Sequence, residues 1–82
     1  MSPRLRAMSG RDVARVLHRF GFAVVSTRGS HAKLRRITAK GERQILTVPL
    51  HAELAPGTLL AILRQACRFI PGPELRESFF SE

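Results

Sequence analysis

The residues of this chain best suited to chemistry are two histidines. His31 lies in Arg28-Gly29-Ser30-His31-Ala32-Lys33, and His51 closes Val48-Pro49-Leu50-His51. Gly29 lets the backbone come close to a ligand, and the Ser30 hydroxyl can donate to a phosphate oxygen. An imidazole set among cations has two uses on RNA. It can carry a proton to or from a ribose 2'-hydroxyl or a leaving oxygen. As imidazolium it can neutralise charge developing on a phosphorane, and imidazoles exchange protons near neutral pH. The plainer alternative is a strand histidine that only adds to a binding face. Periodicity by itself favours that alternative.

His51 sits in a loop leaving a strand. It is either a second proton-transfer group or a residue that orders its loop, with Glu53 available as a partner. His18 falls on a helix beside Arg11 and Arg15 and has no assigned role. Zinc sites draw at least three ligands from the protein. The three histidines come from different elements, and Cys67, on a helical segment beside apolar positions, is expected to be a small buried hydrophobe. The six acidic residues are too scattered for a two-metal centre. No metal and no cofactor is expected, so a nuclease built from this chain would be metal-independent.

The partner class follows from charge. Twelve Arg and two Lys face one Asp and five Glu, a net charge of +8 on 82 residues. Such an excess attracts polyanions at long range. A guanidinium holds phosphate through two donors where an ammonium is mainly a point charge. A solvated basic surface, arginine set by genomic composition, and an acidic protein partner are the alternatives that charge alone leaves open. With five Phe and no Tyr or Trp, a sheet that stacks bases on a cluster of rings is disfavoured. A single cysteine excludes an intrachain disulfide and fits a reducing compartment. The start, MSPRLRAMS, lacks the apolar run of a signal peptide, and no apolar stretch is long enough to span a membrane. A cytoplasmic, soluble location is expected.

The elements that must position these residues follow from pattern. A helix is predicted over Ser9–Phe20, with Ser9 as cap, Asp12 completing a capping box, and Val13, Val16, Leu17 and Phe20 as its apolar face. Arg11, Arg15 and Arg19 form a separate ridge, read as a solvated face in slight preference to an RNA contact. Gly21 stops the helix. Strands are predicted over Phe22–Thr27, Ser30–Ile37 and Gln44–Val48, with a turn at Arg28-Gly29 and a hairpin connection at Thr38–Arg43 in which Gly41 takes positive φ. In the second strand Ala32 and Leu34 point inward, and His31, Lys33 and Arg35 point to the open face. Arg36 falls at the frayed end of the inward set. Leu46 and Val48 point inward from the third strand, and Pro49 ends the ladder. A second helix is predicted from Thr58 to Arg68, capped at Thr58 or Gly57, with Leu59, Ile62, Leu63 and Ala66 buried. Residues 71–82 are a tail that either adds a helical turn, packing Leu75, Phe79 or Phe80 back on the domain, or stays loose. The result is one α+β domain over residues 1–82: helix, three-stranded antiparallel sheet, helix, with both helices on one face.

Several short motifs carry a resemblance. Ser9-Gly10-Arg11-Asp12 and Gly21-Phe22 bracket the first helix. Gly29-Ser30-His31 opens the second strand, and Val48-Pro49-Leu50-His51 closes the third. Pro56-Gly57-Thr58-Leu59 and Ile62-Leu63-Arg64-Gln65-Ala66 mark the second helix. In this order the chain resembles the HicA (YcfA-like) family, the mRNA interferase component of type II toxin–antitoxin systems, from about Ser9 to Cys67. Ala32 stands where many members carry a second histidine or an aromatic. The resemblance implies a double-stranded-RNA-binding-like domain, cleavage of mRNA that arrests translation, and a HicB-type antitoxin that masks the site. It also implies His31 as the catalytic residue.

Face pattern supplies the remaining roles. Lys33, Arg35 and Arg28 hold phosphates, and Ser30 orients the histidine or donates to a phosphate oxygen. His51 is a second proton-transfer or loop-ordering residue. A 2'-hydroxyl nucleophile demands RNA and excludes DNA as substrate, and no direct DNA binding by this chain alone is expected. Composition alone puts a non-catalytic RNA-binding module of the same fold first, and the motifs together move the endoribonuclease ahead of it. A structural or adaptor protein with an acidic protein partner is the third reading.

Overall fold

A computed structural model describes residues 2–81 of the chain. Met1 and Glu82, the ends of the expected domain, lie outside the described residues. Helix α1 spans Gly10–Arg19, and its start is fixed locally. Ser9 Oγ accepts the Asp12 N–H at 3.0 Å, and Asp12 Oδ2 accepts the Ser9 N–H at 2.9 Å. That reciprocal pair satisfies two amide donors that the helix leaves free. Val13, Val16 and Leu17 are buried, while Arg11, Arg15 and Arg19 are exposed. Phe20 caps the helix half-buried, and Gly21 reverses the chain at φ 96°.

Three strands follow: β2 (Ala23–Arg28), β3 (His31–Ile37) and β4 (Arg43–Pro49), antiparallel in the order β2-β3-β4. The first begins one residue later than predicted. Phe22 is fully buried and its N–H returns to Leu17 O at 3.1 Å, so it belongs to the helix end and not to the ladder. Ser30 stays in the turn. Pro49 ends the ladder as its last residue, opposite His31, and β4 runs one residue beyond the predicted Gln44–Val48 at each end. The connection closes through Thr38 and Glu42, with Gly41 at φ 83°. Period two holds in the two inner positions of each later strand: Ala32, Leu34, Leu46 and Val48 are buried. β2 is exposed along its whole length and carries a bulge between Val24 and Ser26.

Helix α2 spans Pro56–Ala66, two residues ahead of the predicted range at both ends. Ala55 is the cap and gives no side-chain hydrogen bond, so neither Gly57 nor Thr58 plays that part. Pro56 starts the helix instead, since its ring presets φ and its missing N–H is not needed there. Leu59, Ile62, Leu63 and Ala66 are buried as predicted. Cys67 is exposed, contrary to expectation. The helix ends at Ala66, and the turn bonds that follow bring Ile70 into the core in its place.

The C-terminal segment is ordered structure. Helix α3 spans Gly72–Phe79 and buries Leu75 and Phe79 completely. Strand β5 (Phe80–Ser81) then pairs antiparallel with β1 (Arg4–Leu5), a ribbon the sequence pattern did not suggest. No helix among the described residues is long and apolar enough to cross a membrane.

Arg36 is the main departure from the expected sheet end. It is not frayed. Its Nε donates to Gln44 Oε1 at 2.8 Å, one terminal nitrogen donates to Phe20 O at 2.9 Å, and the other donates to Phe69 O at 2.8 Å. Its guanidinium carbon also lies 4.8 Å from the centre of the Phe22 ring. The carbonyls belong to the end of α1 and to the chain just beyond α2, where a cation is favoured by the helix dipole.

Two measurements test this framework. Replacing Arg36 by Met keeps the aliphatic stem but leaves two carbonyls without their donor, and should lower unfolding stability by about 2–3 kcal/mol in urea titrations. Arg36→Lys should recover only part, because an ammonium cannot reproduce the planar fork. Wild-type stability in Arg36→Met would contradict the clamp. The Asp12 carboxyl is held below its ordinary value, first by the Ser9 backbone N–H, then by the Ser9 side chain and Arg15. A lowered folded-state pKa contributes stability above the unfolded value and loses it as pH falls through the folded one. The Tm advantage of wild type over Asp12→Asn should therefore shrink steadily on acidification below the ordinary carboxylate range.

Candidate active site

The register of the sheet aligns the residues of the open face in rows. Arg28 lies opposite His31, and His31 opposite Pro49. One step along, Ser26, Lys33 and Thr47 form the next row, followed by Ala23, Arg35 and Ile45. Side chains two apart on a strand share a face, so Lys33 and Arg35 extend from His31 down the central strand, with Arg28 beside it. His31, Arg28 and Lys33 are exposed and Arg35 is half-buried. Strand pairing thus gathers the four residues on one surface.

Gly29 takes φ 58° in the turn before His31, and a β-carbon there would meet nothing within 4 Å. The glycine is required by the left-handed backbone, and the space above it is open.

His51 joins this group through backbone contacts. Leu50 N–H donates to Ser30 O, Gly10 N–H donates to His51 O at 2.9 Å, and Leu54 N–H donates to Met8 O at 2.9 Å. The first ties the loop to the turn before β3, and the other two tie it to the first turn of α1 and the segment leading into it. The His31 and His51 rings lie 6.5 Å apart between centres, edge to face at 73°. Ser30 Oγ stands 3.5 Å from His51 Nε2, at the outer limit of a hydrogen bond. The histidine that Ser30 approaches is therefore His51. Glu53, the partner expected from sequence, is exposed and makes no ion pair; that of Arg15 with Asp12 is the only one among the described residues. His18 is exposed on α1 and does not join the group.

Gly10 is the residue whose importance the sequence did not reveal. A β-carbon at this position would overlap the Pro49 carbonyl and lie 2.6 Å from Leu50 Cα. The first turn of α1 thus rests directly on the backbone that leads into His51. The signal was present in Ser9-Gly10-Arg11-Asp12, but the contact spans the chain and no local pattern reports it.

Two imidazoles at this spacing, one on a strand and one on a bonded loop, can flank a phosphoryl group. Each then lies within the hydrogen-bond reach of about 2.6–3.2 Å that proton transfer requires. The cations beside them supply fixed positive charge for the non-bridging oxygens. Among the described residues, no three His, Cys, Asp or Glu side chains gather in a group that would hold a metal ion.

A family model described as the HicA toxin of bacterial toxin-antitoxin matches residues 10–66, from the first residue of α1 to the last of α2. No curated protein matches the chain.

The contact at Gly10 is open to a direct test. Gly10→Ala should cost about 1–3 kcal/mol, as forced overpacking does, and lower Tm accordingly. The same substitution should weaken the nuclear Overhauser contact between the His31 and His51 rings. A variant with unchanged Tm and an unchanged ring contact would show that the loop does not depend on this approach.

Proposed function

The chain belongs to the HicA toxin family, and from that premise we propose that it is a metal-independent endoribonuclease that cleaves mRNA, with His31 as catalytic residue. The observation that carries the reading is the pairing of His31 with His51 at 6.5 Å on a face that also presents Arg28, Lys33 and Arg35. The ribose 2'-oxygen attacks the adjacent phosphorus as one imidazole takes its proton. The bond from phosphorus to the 5'-oxygen breaks, and the other imidazole, protonated, returns a proton to that oxygen. His31 supplies one transfer and His51 the other. The upstream fragment then ends in a 2',3'-cyclic phosphate and the downstream fragment begins with a 5'-hydroxyl. Lys33, Arg35 and Arg28 hold the strand by its phosphates, and Ser30 steadies the His51 ring. Gly29 leaves the approach over the turn clear.

Family membership also carries a toxin–antitoxin partnership. The partner proposed here is a HicB-type antitoxin that covers the open face, drawn by opposite charge to a chain of net charge +8.

The test is cleavage of single-stranded RNA in excess EDTA by wild type, His31→Ala and His51→Ala. Wild type should cut without added metal and leave cyclic phosphate ends. Each substitution should slow cleavage by about 10²–10⁴-fold, the usual worth of positioned acid–base groups, with RNA affinity nearly unchanged. Activity lost on chelation and restored by magnesium, or a 3'-hydroxyl on the upstream fragment, would refute this chemistry. Salt-sensitive RNA binding with no cleavage by wild type would instead identify a non-catalytic binding module.

A further inference from the structure

A groove of about 200 Å³ opens beside His31, at the seam between the free edge of β4 and helix α2. Its sheet side is His31, Thr47 and Pro49, and its helix side is Thr58, Ala61 and Gln65, over a floor that includes Ile62. The three helix residues recur at intervals of three and four, so they form one stripe next to the buried stripe that anchors α2. None of the three is buried, whereas Ile62 is. Ala61 sits mid-stripe, and its small side chain leaves the groove open. Among the described residues β4 pairs with no strand on that side, which leaves the outward backbone groups of its edge without a strand partner.

We propose that this groove is a base-recognition subsite that takes a single nucleobase of an unpaired RNA strand, next to the phosphate presented to His31. The inference rests on the ribonuclease reading above and adds to it the part of the substrate that is read. The size suits one planar ring, not a folded segment. Apolar surface from Pro49 and Ile62 packs the ring, while the Gln65 amide and the Thr47 and Thr58 hydroxyls are placed for its hydrogen-bonding edge. Splayed bases are read in this way, by packing plus edge contacts, on single-stranded RNA. The cations along β3 start at the same histidine, so a strand held by its phosphates there can place a base in the groove. This also answers the scarcity of aromatic residues, since a proline and an isoleucine replace the rings on which other proteins stack bases.

The probes are 2'-fluoro hexamers of A, C and U, which cannot be cleaved, with an unmodified RNA of mixed sequence for mapping cuts. Wild type should favour one hexamer over the others by about two- to tenfold, the range expected of one or two hydrogen bonds. Gln65→Ala should flatten that preference, and Ala61→Phe, which fills the groove, should abolish it and shift the cut sites. His51→Ala, at a residue that does not line the groove, should keep the binding preference while losing cleavage. Both groove positions are on the surface, and thermal melting confirms folding. Cleavage by wild type at sites and rates that Gln65→Ala and Ala61→Phe share overturns the subsite and leaves the nuclease standing. A Gln65-dependent base preference in a protein that never cleaves supports the subsite and sinks the nuclease. Equal affinity of wild type for all hexamers overturns the subsite. Variants that handle RNA as wild type does but no longer bind the antitoxin would assign the groove to that protein instead, and would also overturn it.

Discussion

The geometry of this small domain depends on one guanidinium. Arg36 reaches the end of α1, the chain beyond α2 and the Gln44 side chain of β4, and so joins the ends of those two helices and two strands at one point. With the C-terminal ends of the helices fixed there, α1 runs back along the sheet and delivers Gly10 to Pro49 and His51 at the opposite end. The molecule therefore has a structural pole at Arg36 and a chemical pole at His31, five residues apart on the same central strand. Fixing the first constrains the second, because α1 is a stiff spacer between them.

Arginine serves both poles, which changes what the charge of the chain means. Arg36 is internal glue. Arg15 pairs with Asp12, Arg19 reaches Ser78, and Arg68 and Arg76 lie over Phe69 and Phe80. Arg28 and Arg35 lie on the open face with Lys33, and these are the cations that bear on His31. A net charge of +8 thus overstates the surface devoted to a polyanion, and position on the sheet carries more information than composition.

What the sequence made legible was local. Ser9 and Asp12 are three apart, and the capping box formed as written. Alternation in Ala32–Leu34 and Leu46–Val48 reported the buried face directly, because strand geometry leaves no other choice. Competing local signals blurred the start of α2: Thr58 is a good cap and Pro56 a good first residue, and the helix took the proline. Cys67 was misjudged because its exposure depends on where the helix stops. Arg36 was misjudged because its acceptors, Phe20 and Phe69, are distant in sequence. In the candidate site, the common face of Arg28, His31, Lys33 and Arg35 could be read from period two and the turn at Gly29. The approach of His51 could not, since it is built by backbone bonds to Gly10 and Ser30. The chemical role of His31 came from the motif and is not fixed by its position.

The ribbon of β1 and β5 has a consequence for how the protein comes into being. Leu75 and Phe79 complete the core, and the Arg6 N–H donates to Phe79 O beside the pairing of Leu5 with Phe80. These contacts link the earliest and latest parts of the described chain, which makes them the least local in the fold and the slowest kind to form. During synthesis the sheet and α1 emerge first, yet the last buried side chains are still inside the ribosome. The finished core, and with it a rigid frame for the histidine pair, is reached only after translation has passed Ser81.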